Sequence, residues 1–87
     1  MSQKTIKVLY FAALREALGT PGETLELPDD CTTLADVRAL IAGRGGDWGA
    51  LAQMKNLRAA INQRMTDPAS PVADGDEVAF FPPVTGG

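Results

Sequence analysis

One segment governs what this 87-residue chain can become. At Thr33, the run Thr33-Leu34-Ala35-Asp36 has the form of a capping box, with an acidic residue in the reciprocal position. Leu34, Val37, Leu40 and Ile41 then recur at helical spacing and form one apolar stripe, which Gly43, Gly45 and Gly46 bring to an end. A single amphipathic helix cannot bury its own stripe. The rest of the chain has to supply the surface it lies on.

That surface reads as a sheet. Thr5 to Phe11 predict a strand, with Ile6, Val8 and Tyr10 on one face and Lys7, Leu9 and Phe11 on the other. Ala12 to Leu18 predict a short helix stopped at Gly19, and Thr20-Pro21-Gly22 a turn. Glu23 to Leu27 alternate as a second strand that hairpins with the first, and Leu57 to Ile61 form a third. Asn62-Gln63 turn the chain into a short segment around Met65. Asp67 to Pro71 form a polar loop, and Asp74-Gly75 a turn. Glu77 to Phe81 are the last strand, which Pro82 and Pro83 terminate for want of backbone donors. Trp48 to Met54 add a further helical turn. The order β, short α, β, long α, β, short β, β is α+β, the β-grasp arrangement of ubiquitin, with one helix crossing a mixed sheet of about five strands. Residues 1–81 are expected to form this domain, and residues 82–87 a flexible C-terminal tail ending in Gly-Gly.

The residue inventory narrows the chemistry. Eleven acidic against eight basic residues give a net charge of −3, without the basic stripe that nucleic acid requires. No apolar run approaches the ~20 residues that span a bilayer, and no secretory h-region opens the chain, so a cytoplasmic location is expected. Histidine is absent, removing the commonest general base and metal ligand. Cys31 stands alone and has neither a disulfide partner nor a histidine to activate it; a structural role is expected for it. Zinc spacings, a P-loop and a dinucleotide fingerprint are all missing. Metal, directly bound cofactor and a self-contained active site are therefore not expected. Trp48 reads as a hydrophobic anchor, Arg15-Glu16 as an exposed helical pair, and Asp74, Asp76 and Glu77 as a solvated acidic turn.

The distinctive feature is the tail. Pro82-Pro83 fix φ and stiffen its root. The residues after Phe81 reach about 20 Å at full extension, enough to enter another protein's pocket. Gly86 and Gly87 lack Cβ, so the last peptide units fit a narrow channel. Ordering six such residues costs on the order of 6–12 kcal/mol, which the prolines reduce by restricting the free arm beforehand. Beside the tail, Leu9, Phe11, Ala79 and Phe81 put apolar groups on a sheet face the helix does not cover, the mark of a protein contact unless a loop or the Trp48 segment lies over it.

Taken together, IKVLYFAALRE (6–16), AAINQ (59–63) and DGDEVAFFPPVTGG (74–87) resemble the molybdopterin synthase small-subunit family, the MoaD-type ubiquitin-like sulfur carriers. The resemblance covers the whole chain and is weakest from Gly43 to Asn56. It implies that an E1-like adenylyltransferase uses ATP to adenylate Gly87, beside Gly86, and that a sulfur donor protein then converts the carboxylate to a thiocarboxylate. The loaded tail would deliver sulfur to cyclic pyranopterin monophosphate on the large synthase subunit, within a heterotetramer of two small and two large subunits. Phe11, Met65, Phe81, Pro82, Pro83, Val84 and Thr85 would then be partner-binding. A thiocarboxylate is ionised at neutral pH, whereas a cysteine thiol of pKa ~8.5 mostly is not, so the sulfur needs no local base. Three other functions share parts of this pattern: a thiazole-pathway sulfur carrier, a ubiquitin-like protein modifier, and an interaction domain that uses only the sheet face.

Overall fold

In a computed structural model, residues 4–53 and 57–82 are described. Five strands alternate with short helices: β1 (Lys4–Tyr10), α1 (Ala12–Leu18), β2 (Gly22–Leu27), α2 (Leu34–Ala42), a 3-10 turn (Gly46–Gly49), α3 (Ala50–Gln53), β3 (Arg58–Ile61), β4 (Arg64–Thr66) and β5 (Glu77–Phe81). They form one sheet in the order β2-β1-β5-β3-β4. β1 and β5 run parallel at its centre, and every other neighbouring pair is antiparallel. This is the expected β-grasp.

Local signals account for most element boundaries. At the start of α2, the Asp36 N–H donates to Thr33 Oγ1 (3.3 Å), and the Thr33 N–H donates back to Asp36 Oδ2 (3.1 Å). The Thr32 N–H reaches the same carboxylate oxygen (3.0 Å), and these backbone donors hold the Asp36 carboxyl below the usual carboxylate range. The loop before β5 completes the cap: Leu34 N–H donates to Ser70 O (3.0 Å) and Ala35 N–H to Pro68 O (2.9 Å). Orphan donors of the first helical turn thus find acceptors far along the chain. Gly19 closes α1 at φ 72, a left-handed position with little penalty for glycine. Asn62 and Gln63, both at positive φ, make the two-residue turn between β3 and β4.

α2 lies on one face of the sheet and buries Leu34, Val37 and Ile41. Against them the sheet presents Ile6, Val8 and Tyr10 from β1, Val78 and Phe80 from β5, and Ile61 from β3. Leu40 is a correction: expected within the stripe, it is 38% exposed. At 100° per residue it falls roughly 90° from the mean direction of Leu34, Val37 and Ile41, so it projects from the flank of the helix. β1 ends one residue earlier than expected. Phe11 is the extended N-cap of α1 (φ −123°, ψ 157°), although its N–H still donates to Phe80 O (3.2 Å). The expected helical turn near Trp48 splits into the 3-10 turn and α3, and Met54 lies outside the described residues.

One polar cluster ties the end of α2 to the sheet. Arg44 donates through both terminal nitrogens to the two oxygens of Glu23 on β2 (2.8 Å each). Tyr10 Oη donates to the same carboxylate at 2.8 Å. The Arg44 guanidinium stacks 4.6 Å from the Trp48 ring centre, and that ring lies 5.9 Å from Tyr10. The Arg44 hydrogen bonds pull the Glu23 carboxyl below the usual carboxylate range, and burial pushes the Tyr10 phenol up. A carboxyl whose pKa is lowered by folding adds stability above its unfolded pKa, and loses it as pH falls through the lowered folded value. In urea titrations Glu23→Gln is expected to cost about 1 kcal/mol at neutral pH, given the partial exposure of the pair. The difference from wild type should shrink as pH falls from the usual carboxylate range through the lowered folded value of Glu23, where the wild-type carboxyl becomes protonated as well.

Candidate functional site

The face of the sheet opposite α2 is open. Across it, cross-strand pairing builds the row Gly22, Leu9, Ala79, Ala60 and Met65. Gly22 begins the row because nothing larger fits: a Cβ there would stand 2.5 Å from Val8 O and 3.0 Å from Leu9 Cδ2. Arg58 pairs with Phe81 in the row toward the end of β5, and Lys7 with Glu77 in the row toward its start. The result is an apolar band with charged groups to either side. Phe11 (46% exposed) and Met65 (56% exposed) are the large apolar side chains most open to solvent on this face, and Leu9, Ala79 and Phe81 are half-buried.

Among the described residues, the Trp48 segment, one of the two covers considered from sequence, lies away from the band. Trp48 packs against the core, on the helix side, with Tyr10 and Arg44. The backbone at the head of α1 carries some strain: Ala12 sits at φ 54, a left-handed conformation an alanine adopts at a penalty of roughly 1 kcal/mol. Its immediate neighbour is Phe11, held at the rim of the band by the hydrogen bond to Phe80 O.

The sequence-derived site residues divide in two. Phe11, Met65, Phe81 and Pro82 are described, and the first three occupy this one face. Pro83, Val84, Thr85, Gly86 and Gly87 lie outside the described residues. Because β5 is parallel to β1, Phe81 and Pro82 leave the sheet at the end where Phe11 begins α1. The root of the tail is therefore next to the apolar rim. Sequence reading missed Ala60, which joins Ala79 to Met65 across β3. Its signal was the alternation within LRAAI, which sets Ala60 opposite to Ala59.

Other chemistry-bearing groups are committed elsewhere. Cys31 is buried, and burial pushes its thiol up, away from the nucleophilic thiolate. Asp74 Oδ1 accepts from the Thr5 N–H (2.7 Å), Asp76 Oδ2 from the Ala73 N–H (2.8 Å), and Asp76 Oδ1 from Asn62 Nδ2 (3.0 Å). The acidic turn is thus used to close the loop before β5. Among the described residues no group of His, Cys, Asp or Glu is arranged to hold a metal ion, and no helix is long and apolar enough to cross a membrane.

A mixed five-stranded sheet crossed by one main helix, with an apolar face at the root of its C-terminal segment, defines a β-grasp protein of the ubiquitin-like class. The chain belongs to the ThiS family, whose model matches residues 8–87. It is 44% identical to the molybdopterin synthase sulfur carrier subunit of Escherichia coli K12, over 94% of this chain and 99% of that protein. A putative molybdopterin converting factor subunit 1 from Pyrococcus furiosus has the same fold, with a TM-score of 0.78 and 28% identity over 93% of this chain and 99% of that one. The fold also recurs in a complex of subunits 1 and 2 of the molybdopterin-converting factor from Helicobacter pylori 26695, at TM-score 0.62 and 23% identity, over 95% of this chain and 99% of that chain.

The two faces of the sheet should respond differently to truncation. Phe11→Ser and Met65→Ser are expected to change unfolding free energy by less than about 0.5 kcal/mol, because their side chains are exposed. Phe80→Ala, which empties the core beneath α2, is expected to cost about 3–5 kcal/mol in the same urea titration.

Proposed function

We propose that this chain is the sulfur-carrying subunit of a molybdopterin synthase, and that Gly87 is where the sulfur is held. The 44% identity to the E. coli sulfur carrier subunit, along 94% of this chain and 99% of that protein, carries this reading. The position of Phe81 and Pro82 beside an open apolar face supports it, since a carrier has to dock by its body and deliver by its tail.

In this proposal an E1-like adenylyltransferase binds the chain and ATP, and the Gly87 carboxylate attacks the α-phosphate, releasing pyrophosphate. The acyl-adenylate has the leaving group that a free carboxylate lacks. A sulfur donor protein, carrying a persulfide, attacks the acyl carbon and displaces AMP. A second protein thiol then attacks the donor cysteine's sulfur in this acyl disulfide, forming a protein disulfide and releasing Gly87 as the thiocarboxylate. The large synthase subunit holds cyclic pyranopterin monophosphate, and the ionised sulfur attacks it as nucleophile. Hydrolysis then returns the carboxylate. The catalytic side chains and ATP belong to the partners; this chain contributes the terminal group, a narrow Gly86-Gly87 segment and a docking surface.

On that surface Phe11, Met65 and Phe81 would contact the large subunit, with Pro82, Pro83, Val84 and Thr85 lying along the channel to its pocket. The assembly would be a heterotetramer of two small and two large subunits. A thiazole-pathway carrier would share the loading steps and differ in the acceptor, so reconstitution separates the two. A protein modifier would instead leave Gly87 in an isopeptide bond with lysine.

Mass spectrometry of the chain isolated from cells, together with reconstituted synthesis, tests the proposal. Wild type is expected to show the oxygen-to-sulfur mass shift at Gly87. Deletion of Gly86-Gly87 should abolish both the shift and dithiolene formation while the circular dichroism stays unchanged. Dithiolene formation by the truncated chain would refute the mechanism. Phe81→Ala should weaken association with the large subunit about tenfold or more in calorimetry, with a smaller effect on melting temperature.

A further inference from the structure

Cross-strand register puts one charged side chain within the outline that Phe11, Phe81 and Met65 draw on the open face. Arg58 pairs with Phe81, and Ala60, two positions further along β3, pairs with Ala79 on one side and Met65 on the other. Residues two apart on a strand share a face, so Arg58 and Ala60 stand next to each other there. Phe11 follows Tyr10, whose partner on β5 is Phe80, and so lies on the far side of Phe81 from Arg58. The shortest path over the sheet from Phe81 to Met65 therefore crosses β3 between Arg58 and Ala60.

Among the described residues nothing answers that charge. Arg58 is exposed and makes no hydrogen bond or ion pair with any of them. The acid nearest to it by register is Asp67, which follows Thr66, the partner of Ala59. Asp67 Oδ1 accepts from the Ala69 N–H (3.0 Å), in a loop that the Ser70 N–H closes on Asp67 O (3.1 Å). The other charges of this face differ in kind: Lys7 and Glu77 are cross-strand neighbours of opposite sign, in the row beyond Leu9 and Ala79. Covering an unpaired guanidinium costs far more than covering an apolar side chain, unless the covering surface brings acceptors for its five donors.

We propose that Arg58 is a specificity-determining residue for the large synthase subunit, which presents a carboxylate to it beside the site that takes Phe81. The inference rests on the docking reading above, in which that subunit contacts Phe11, Met65 and Phe81. A surface that touches Phe81 and Met65 at once covers the guanidinium or meets it at the edge. The planar fork matches both oxygens of an aspartate or glutamate side chain. The apolar band supplies contact area with little preference for orientation. One charge pair next to the root of the tail fixes the register in which the tail is led to the partner. A large subunit with an apolar or basic group at that point is rejected, even where Phe11, Met65 and Phe81 fit it.

Calorimetry of the full chain with its large subunit, at low and high salt, tests this. Arg58→Glu should weaken the complex about thirtyfold or more and Arg58→Gln about tenfold; Arg58→Lys, which keeps the charge but not the fork, should cost less than either. Wild-type affinity should fall as salt is raised, and the fall should be smaller for Arg58→Gln. A purely structural role would show in the free chain instead, whose melting temperature is expected to move by less than about 3 °C in all three variants. In the complex of the Arg58→Lys variant, a carbodiimide should link the introduced amine to an aspartate or glutamate of the large subunit, located by peptide mass spectrometry. Equal affinity of wild type and Arg58→Glu overturns the proposal, as does a link from that amine only to Asp67 or to the chain's own Gly87. If Phe81→Ala still weakens the complex, such a result leaves the docking reading standing; if Phe81→Ala has no effect either, both fall.

Discussion

The parallel pairing of β1 with β5 is the contact on which the rest of the molecule depends. It joins the first strand to the last at the centre of the sheet, and sets Val8 beside Val78 and Tyr10 beside Phe80 in the layer that α2 covers. No short turn can make such a pair. The intervening residues have to form the crossover, and they carry both the helix and the remaining strands. The same pairing fixes where the chain leaves the domain. Phe81 and Pro82 emerge beside Phe11, so a tail rooted there departs from the rim of the open apolar band.

Two kinds of surface follow from a single sheet with one covering helix. One face is consumed by the core. The other retains Leu9, Ala79, Phe81 and Met65, partly exposed in a chain too small to have a second layer. Where α2 stops short of the last strand, a groove opens on the core side as well. In the proposed role, a carrier that meets several partners in turn would have to present surfaces to them without rebuilding its fold. This architecture provides them at no structural expense beyond leaving strands uncovered.

Much of the fold was legible because it is written locally. The Thr33–Asp36 cap, the αL glycine at Gly19, the Asn62-Gln63 turn and the alternation of β1 and β5 all depend on residues within a few positions of one another. Leu40 shows the limit: membership of an apolar stripe is an angular matter, and a residue at its margin faces whatever the neighbouring elements leave free. The open face was legible in part, since alternation assigns Leu9 and Phe81 to one side of their strands. It does not say which strands are adjacent, so Ala60, between two predicted contact strands, went unnoticed.

The sequence by itself determined the helix, the strands, the turns and a glycine-ended tail, because short-range hydrogen bonding and periodicity act between near neighbours. It also determined the family, through motifs spread over the whole chain. Only the tertiary structure decided that Glu23 and Arg44, twenty-one positions apart, clasp Tyr10 and Trp48. It likewise decided that the loop before β5 caps α2, with Leu34 N–H donating to Ser70 O and Ala35 N–H to Pro68 O. Such contacts form only after the sheet has chosen its strand order, and that order is set by how the whole apolar surface is buried at once.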